Sequence, residues 1–501
     1  MRLVGHPGAR LATLAFGLMG AVALGWYVSA HPELLHLEAG ISVRTAVGAA
    51  GGAALVVLVL LSPRMALVAL LAILYLNLSD ALIRAYGLPS LLQLLGVPLL
   101  VSAWVHHGRG ALDRVMGQPL TWLAVAYVLV LLASAAWAER PDLAESRFAD
   151  ALKALVLYGI TIALVTTRQR ARLAAWTLVG AGALLGLLGL VHLVAGVDAD
   201  ALADLARSRR GQIYGSVFDR RLAGPLGDPN FFAQILVVLV PLALYLTWTE
   251  GNRRARLAAA ACLALILAAL VLTYSRGGAL ALGFVLVASL VAHGTSWRRI
   301  LGGGLALLMA ALLLLPSGFT QRLTTVWQLL PGEERVMVDV DSSFAERLLL
   351  VETAWEMFAR NPALGVGAGN YTARFGEYAE HRGSAARDYT DPDAARFPHN
   401  LYLEVAAETG LLGLALFTAV LAAAFLTLAR ARLAFRGRDD PGMARLARSL
   451  QLALAGYLVS GLFLHGDFQR YLWVQLAMAA AFGAMAARLP RESLLPEGAR
   501  P

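Results

Sequence analysis

The sequence predicts an all-α fold: a polytopic membrane helical bundle of about 12–14 transmembrane helices, with a large outer loop containing an amphipathic helix. Three observations carry that expectation. First, 58% of the 501 residues are hydrophobic and 15% are charged, against roughly 45–50% and about 25% in an ordinary soluble domain. Fourteen spans of about twenty residues would use about 280 residues, close to this apolar share, so a soluble multidomain chain is excluded. Second, apolar runs recur along most of the chain. Third, the arginines divide between the ends of those runs so that one orientation is self-consistent.

The runs lie at 11–31, 44–61, 65–80, 90–105, 119–138, 150–167, 173–195, 231–248, 257–274, 279–293, 300–316, 409–429, 449–464 and 471–487. The third, fourth and tenth are short for a span. Leu, Ala, Val and Gly dominate without strand-like alternation, which favours helices over a transmembrane barrel. The first run follows Arg2 and Arg10 and ends near Val28-Ser29-Ala30. Its length and the many spans after it favour a retained first helix over a cleaved signal peptide.

With the N-terminus in the cytoplasm, the cytoplasmic segments hold 22 of the 42 Lys and Arg residues. The rest lie mostly in two long outer segments, 197–229 and 317–399, where the positive-inside rule acts weakly. Both termini are therefore expected in the cytoplasm. The net charge of +9 is explained by cytoplasmic loops, with no nucleic-acid partner. The single cysteine, Cys262, excludes an intrachain disulfide. The expected organisation is N-terminal spans over 1–200, a core over 201–430 that includes both outer loops, and C-terminal spans with a cytoplasmic tail over 431–501.

With no soluble catalytic domain, chemistry falls to the outer loops and the helix ends beneath them. In loop 317–399, Ser343 and Glu346 read as an N-cap pair and Asn361-Pro362 as a stop. Between them Phe344, Leu348, Val351, Trp355 and Phe358 share an apolar face, while Glu346, Glu352, Glu356 and Arg360 face away. Arg347 lies in the first turn, where a cation opposes the helix dipole. It is either a phosphate contact beside free N–H groups or the partner of one of the loop's twelve acids. Arg276 ends the uncharged run Leu257–Ser275 at the outer face, which leaves an anion site or a structural ion pair. Arg220 and Arg221 precede turn chemistry at Gly224, Gly227 and Asp228-Pro229-Asn230.

Asn400, Glu404 and Glu408 fall at i, i+4 and i+8 on one helix face entering the bilayer, and His399 stands just before them at the water boundary. His399 is a general-base candidate beside arginines, or else a satisfied polar residue. The two carboxylates either act directly or hold the arginines. Asp388, Asp391 and Asp393 lack the glycine and terminal glutamate of a calcium loop, and no histidine pair has metal-binding spacing, so no metal and no cofactor is expected. Gly365, Gly367 and Gly369 read as a turn.

Arg221 to Asn230, Tyr274-Ser275-Arg276-Gly277, Arg347 with Trp355 and the Gly365–Asn370 turn, and His399-Asn400 running to Glu408-Thr409-Gly410 together resemble the bacterial O-antigen ligase and O-antigen polymerase superfamily. The resemblance covers roughly residues 215–425. It implies a multi-pass protein of the bacterial inner membrane whose site faces the periplasm. It also implies a metal-independent inverting glycosyltransferase that uses an undecaprenyl-pyrophosphate-linked glycan as donor. Arg276 and Arg347 match the essential arginines, Arg221 or its neighbour Arg220 a third donor contact, and His399 the catalytic histidine. Asn400, Glu404 and Glu408 are carried as substrate-side residues. The span count and the 83-residue outer loop favour polymerisation of O-antigen or exopolysaccharide repeat units, with a chain-length regulator as a possible partner. Ligation to lipid A–core is the alternative acceptor chemistry. A transporter or flippase of an anionic lipid-linked glycan is the rival class, but the distinctive residues cluster at one face and no internal repeat is visible.

The topology yields a direct test. In a Cys262→Ser background, Ala385→Cys should react with a membrane-impermeant thiol reagent in intact spheroplasts, and Leu112→Cys only after permeabilisation. Equal behaviour of the two positions would put loop 317–399 on the wrong side.

Overall fold

In a computed structural model of the protein, the described residues are 43–86, 90–195, 205–214, 217–294, 342–379, 396–466 and 470–489. The expected spans 11–31 and 300–316, the Asp388–Asp393 run, the Ser343–Glu346 side-chain cap and the C-terminal tail lie outside them. Helices occupy the other twelve expected positions. They begin with α1 (Val43–Leu61), α2 (Pro63–Tyr75), α3 (Leu78–Tyr86), α4 (Leu91–His107), α5 (Arg109–Met116) and α6 (Pro119–Ala133). Next come α7 (Pro141–Leu164) and α8 (Arg168–Ala195), followed by a hairpin of β1 (Ser208–Tyr214) and β2 (Val217–Leu222). The chain continues with α9 (Pro229–Thr249), α10 (Arg253–Val271), α11 (Arg276–Ala292), α12 (Ser342–Arg360) and α13 (Tyr371–Ala379). It closes with α14 (Leu401–Arg436), α15 (Pro441–Ser460) and α16 (Arg470–Ala487).

Among the described residues α6 together with the 3₁₀ turn that extends it to Ala136, and α8, α9, α10 and α14, are each long and apolar enough to cross a bilayer. Two bent pairs, α2–α3 at 59° and α4–α5 at 103°, reach that standard jointly. The bends have local causes: Asn77 (φ 52) joins α2 to α3, and Gly108 (φ 52) joins α4 to α5. Helix α11 has 17 residues, which makes it short, and α7 carries Asp142, Glu145, Arg147, Asp150 and Lys153 between its start and Lys153. The protein is a polytopic all-α membrane protein. At its centre stands α9, which packs against α8, α10, α11 and α15 and buries nearly every residue from Phe232 to Leu246. A helix that is apolar on all sides requires such neighbours.

The hairpin within segment 197–229 is not anticipated by the helical reading. It pairs Arg209 with Arg221 and Arg210 with Arg220, and Leu222 N donates to Leu272 O (2.9 Å), tying β2 to the C-terminal end of α10. Helix α12 is present, but the side it packs differs from the face read in the sequence. Leu350, Thr353, Ala354 and Met357 are buried, in contact with α13 and α14. Leu348 and Trp355 remain 42% and 57% exposed. Periodicity gives weight to bulky residues, whereas small Thr353 and Ala354 permit the closer approach.

Helix α14 is two helices joined at Gly410 (φ 63, ψ −163). The break frees backbone groups that the segment after α12 satisfies. Val366 N and Gly367 N donate to Ala407 O and Glu408 O (both 2.9 Å), while Leu411 N donates to Pro362 O (2.8 Å). Non-helical backbone at membrane depth survives only with such partners. A Cβ on Gly410 would lie 2.4 Å from the Ala363 carbonyl group. Gly410→Ala should therefore cost roughly 1–3 kcal/mol, given the strained φ alone. A lower thermal midpoint in detergent is expected, and an unchanged one would contradict this view of the break.

Candidate functional site

Three helices open at one place, each with a side-chain cap. Asp228 caps α9, its Oδ1 accepting from Asn230 N (2.7 Å) and Phe231 N (3.1 Å). Ser275 caps α11, its Oγ accepting from Gly278 N (3.2 Å). Asn400 caps α14, its Oδ1 accepting from Tyr402 N (3.1 Å) and Leu403 N (3.0 Å). The caps are linked, because Ser275 Oγ donates to Asn230 Oδ1 (2.9 Å). Tyr274, with φ 51, turns the chain into this start. A Cβ on Gly278 would lie 2.6 Å from Ala233 Cβ, so α11 begins hard against α9 and Arg276 is delivered at its first position.

Arg221 is fixed from the hairpin side. Its Nε donates to Thr273 O (2.9 Å) and its Nη2 to Asn230 Oδ1 (3.4 Å). Burial lowers its guanidinium to about 10; Asp228 opposes the shift, and Arg347, Arg209 and Arg276 add to it. It stays charged at neutral pH, and those influences bring Arg221, Arg276 and Arg347 into one electrostatic site. Alternation along a strand sends Arg220 to the opposite face, across from Arg210. Of the two adjacent arginines, Arg221 is the one turned toward the other site residues.

His399 precedes α14 with φ 47, a strained value for a residue with a side chain. Burial is the first cause lowering its imidazole, to about 4; Arg347 adds to that and Asp228 opposes it. The ring is thus neutral at physiological pH. The segment around it is stitched to the C-terminal end of α15: Leu401 N donates to Gly461 O (2.8 Å) and Asn400 Nδ2 to Leu462 O (3.3 Å). Asn400 therefore uses its amide to build the helix start and its neighbour.

The same stitching presents His465, which sequence reasoning missed. Its ring stacks on Phe397 (4.1 Å, 8°), meets Phe231 edge-on (5.0 Å) and lies 5.4 Å from the His399 ring at 74°. The signal in the sequence was a histidine followed by glycine just after the apolar run 449–464.

The stripe Asn400, Glu404, Glu408 is also present, and its carboxylates are nearly sealed, at 1% and 6% exposure. Glu404 accepts from Arg147 Nη2 of α7 (3.3 Å) and from Gly466 N (2.5 Å). Glu408 accepts from Gly369 N (2.7 Å) and Tyr371 N (3.4 Å), which anchors the Gly365–Asn370 turn and the start of α13. Arg147 is a second residue that the sequence did not single out. The three glycines of the turn have φ of 70, 103 and 72, in agreement with a turn.

Residues 261–418 match the protein-family model described as O-Antigen ligase. No curated protein matches the chain. The matched segment contains Arg276, Arg347, the Gly365–Asn370 turn, His399 and the break at Gly410, whereas Arg221 and His465 lie on either side of it. Through this segment, about a third of its length, the chain is similar to the O-antigen ligase family.

Proposed function

We propose that the protein transfers a glycan from a polyprenyl-pyrophosphate donor to a sugar hydroxyl of an acceptor, with inversion, on the periplasmic face of the bacterial inner membrane. The observation that carries this reading is the convergence of Arg221, Arg276 and Arg347 beside a neutral His399. A leaving group of lipid-linked pyrophosphate gathers negative charge as the sugar bond breaks, and fixed guanidinium groups receive that charge through directed hydrogen bonds without a metal. The capped starts of α9 and α11 add positive potential from the same side.

In this mechanism His399 takes the proton of the acceptor hydroxyl while its oxygen attacks the anomeric carbon. The bond between that carbon and the phosphate oxygen breaks, and its electron pair leaves with the lipid pyrophosphate. Asn400 and Glu404 serve as positioning groups, and Glu408 holds the turn behind them. Addition of a repeat unit to a second lipid-linked glycan is the proposed acceptor chemistry. Ligation to lipid A–core is a second reading, favoured by the description of the matched family. Reconstituted enzyme supplied with both acceptors separates them by product mass.

Because lysine cannot reproduce the guanidinium fork, Arg276→Lys and Arg347→Lys should insert normally and lose about 10²–10³-fold in turnover with EDTA present. His399→Ala should lose at least about 10²-fold in single-turnover transfer, within the usual range for a general base. Near-normal turnover in both lysine variants would reduce the arginines to general electrostatics, and full transfer by His399→Ala would remove the histidine from the mechanism.

A further inference from the structure

A general-base histidine is usually oriented by a carboxylate on its far ring nitrogen. In this site Nδ1 of His399 is buried and makes no hydrogen bond, and the same holds for Nδ1 of His465. What surrounds the rings is aromatic. Phe397 and Phe231 hold His465 between a stacked and an edge contact, and His465 in turn meets His399 at 74°. The connection after α15 that carries His465 is pinned by Glu404 to Gly466 N and by Asn400 to Leu462 O. The segment carrying His399 is pinned to the same connection through Leu401 N and Gly461 O. These links fix the backbone beside both rings, and the ring contacts hold the side chains against one another.

We propose that His465 is a positioning residue that completes an aromatic wall with Phe397 and Phe231, holding the His399 ring in its working orientation and away from water. The proposal rests on the reading of His399 as the base. Protonating either ring would strand a buried N–H without an acceptor, a cost of about 1–3 kcal/mol in protein interiors. The charged neighbours act in the same sense from other elements. Arg347 of α12 disfavours charge on His399 and only Asp228, before α9, opposes it. On His465, burial comes first, followed by His399 and by Arg147 of α7, and its imidazole is lowered to about 3. The wall thus shares the orienting task that a carboxylate performs elsewhere, and leaves stabilisation of the ring's positive charge during transfer to the developing negative charge of the reacting groups.

The test uses the full-length protein in detergent with the variants His465→Phe, His465→Leu and His465→Ala. Labelling of His399 by diethylpyrocarbonate, which reacts with neutral imidazole, is followed by peptide mapping against pH, alongside kcat and KM. In the wild type and His465→Phe the labelling midpoint of His399 should stay near 4. In His465→Ala it should rise toward 6.5 as water enters. Transfer should fall about 10²-fold in kcat, the scale expected for a misplaced reacting group, with KM little changed. His465→Leu, which keeps bulk without a flat ring, should fall between these and covers the case in which the alanine variant does not fold. His465→Phe should restore most of kcat. An unmoved midpoint with intact kcat in His465→Ala and His465→Leu would overturn the proposal. So would a His465→Phe variant that is inactive while His399 labels normally, since His465 would then act on substrate through its own nitrogen. If His399→Ala retained transfer, the base reading would fail, yet the labelling comparison would still report on the wall.

Discussion

One electrostatic constraint organises the site of this molecule, the crowding of like charges. Burial lowers the Arg221 guanidinium, Arg347, Arg209 and Arg276 add to that, and Asp228 is the acid that works against them. Helices α9 and α11 add the positive ends of their dipoles to the same place. Like charges brought together in this way repel, and the fold spends many interactions on keeping the groups assembled. Thr273 O and Asn230 hold Arg221, Ser275 joins the starts of α9 and α11, and the contact of Gly278 with Ala233 leaves α11 no freedom to withdraw. An anion entering the site would relieve the repulsion that these links resist.

Behind the charged cluster stands a second layer that fixes the histidine side. Glu404 and Glu408 are charged groups in nearly dry surroundings, and burial of that kind is tolerated only with directed partners. Glu404 joins α7 to the connection after α15 through Arg147 and Gly466. Glu408 ties the turn before α13 to the broken helix α14. The break at Gly410 exposes the carbonyls and amides that this turn occupies, so the loop helix α12 and the start of α14 are placed relative to each other by backbone bonds. Arg347 and His399 inherit their positions from that arrangement.

Much of this was legible in the sequence. Apolar runs marked twelve helices that the structure describes, and Arg276, Arg347 and His399 stood out because each broke a local rule of charge or placement. The i, i+4, i+8 stripe announced that Asn400, Glu404 and Glu408 share a face, though it could not say what they hold. What escaped shares a common cause. His465, Arg147 and the β1–β2 hairpin matter through partners distant in sequence, and periodicity sees only neighbours along the chain. The apolar stripe of α12 did not announce its packing for a related reason: bulky Leu348 and Trp355 dominate the pattern and stay exposed, while small Thr353 and Ala354 are buried. Arg220 and Arg221 were indistinguishable until strand alternation gave them opposite faces.

The central claim divides the labour, with donor charge met by arginines and the acceptor proton by His399. Binding of undecaprenyl pyrophosphate and undecaprenyl monophosphate to detergent-purified protein tests that division most directly. The account predicts a clear preference for the pyrophosphate in the wild type and an equal preference in His399→Ala. It predicts loss of that preference in Arg221→Ala and Arg276→Ala. Equal affinity for the two lipids in the wild type, or a preference that survives removal of both arginines, would contradict it.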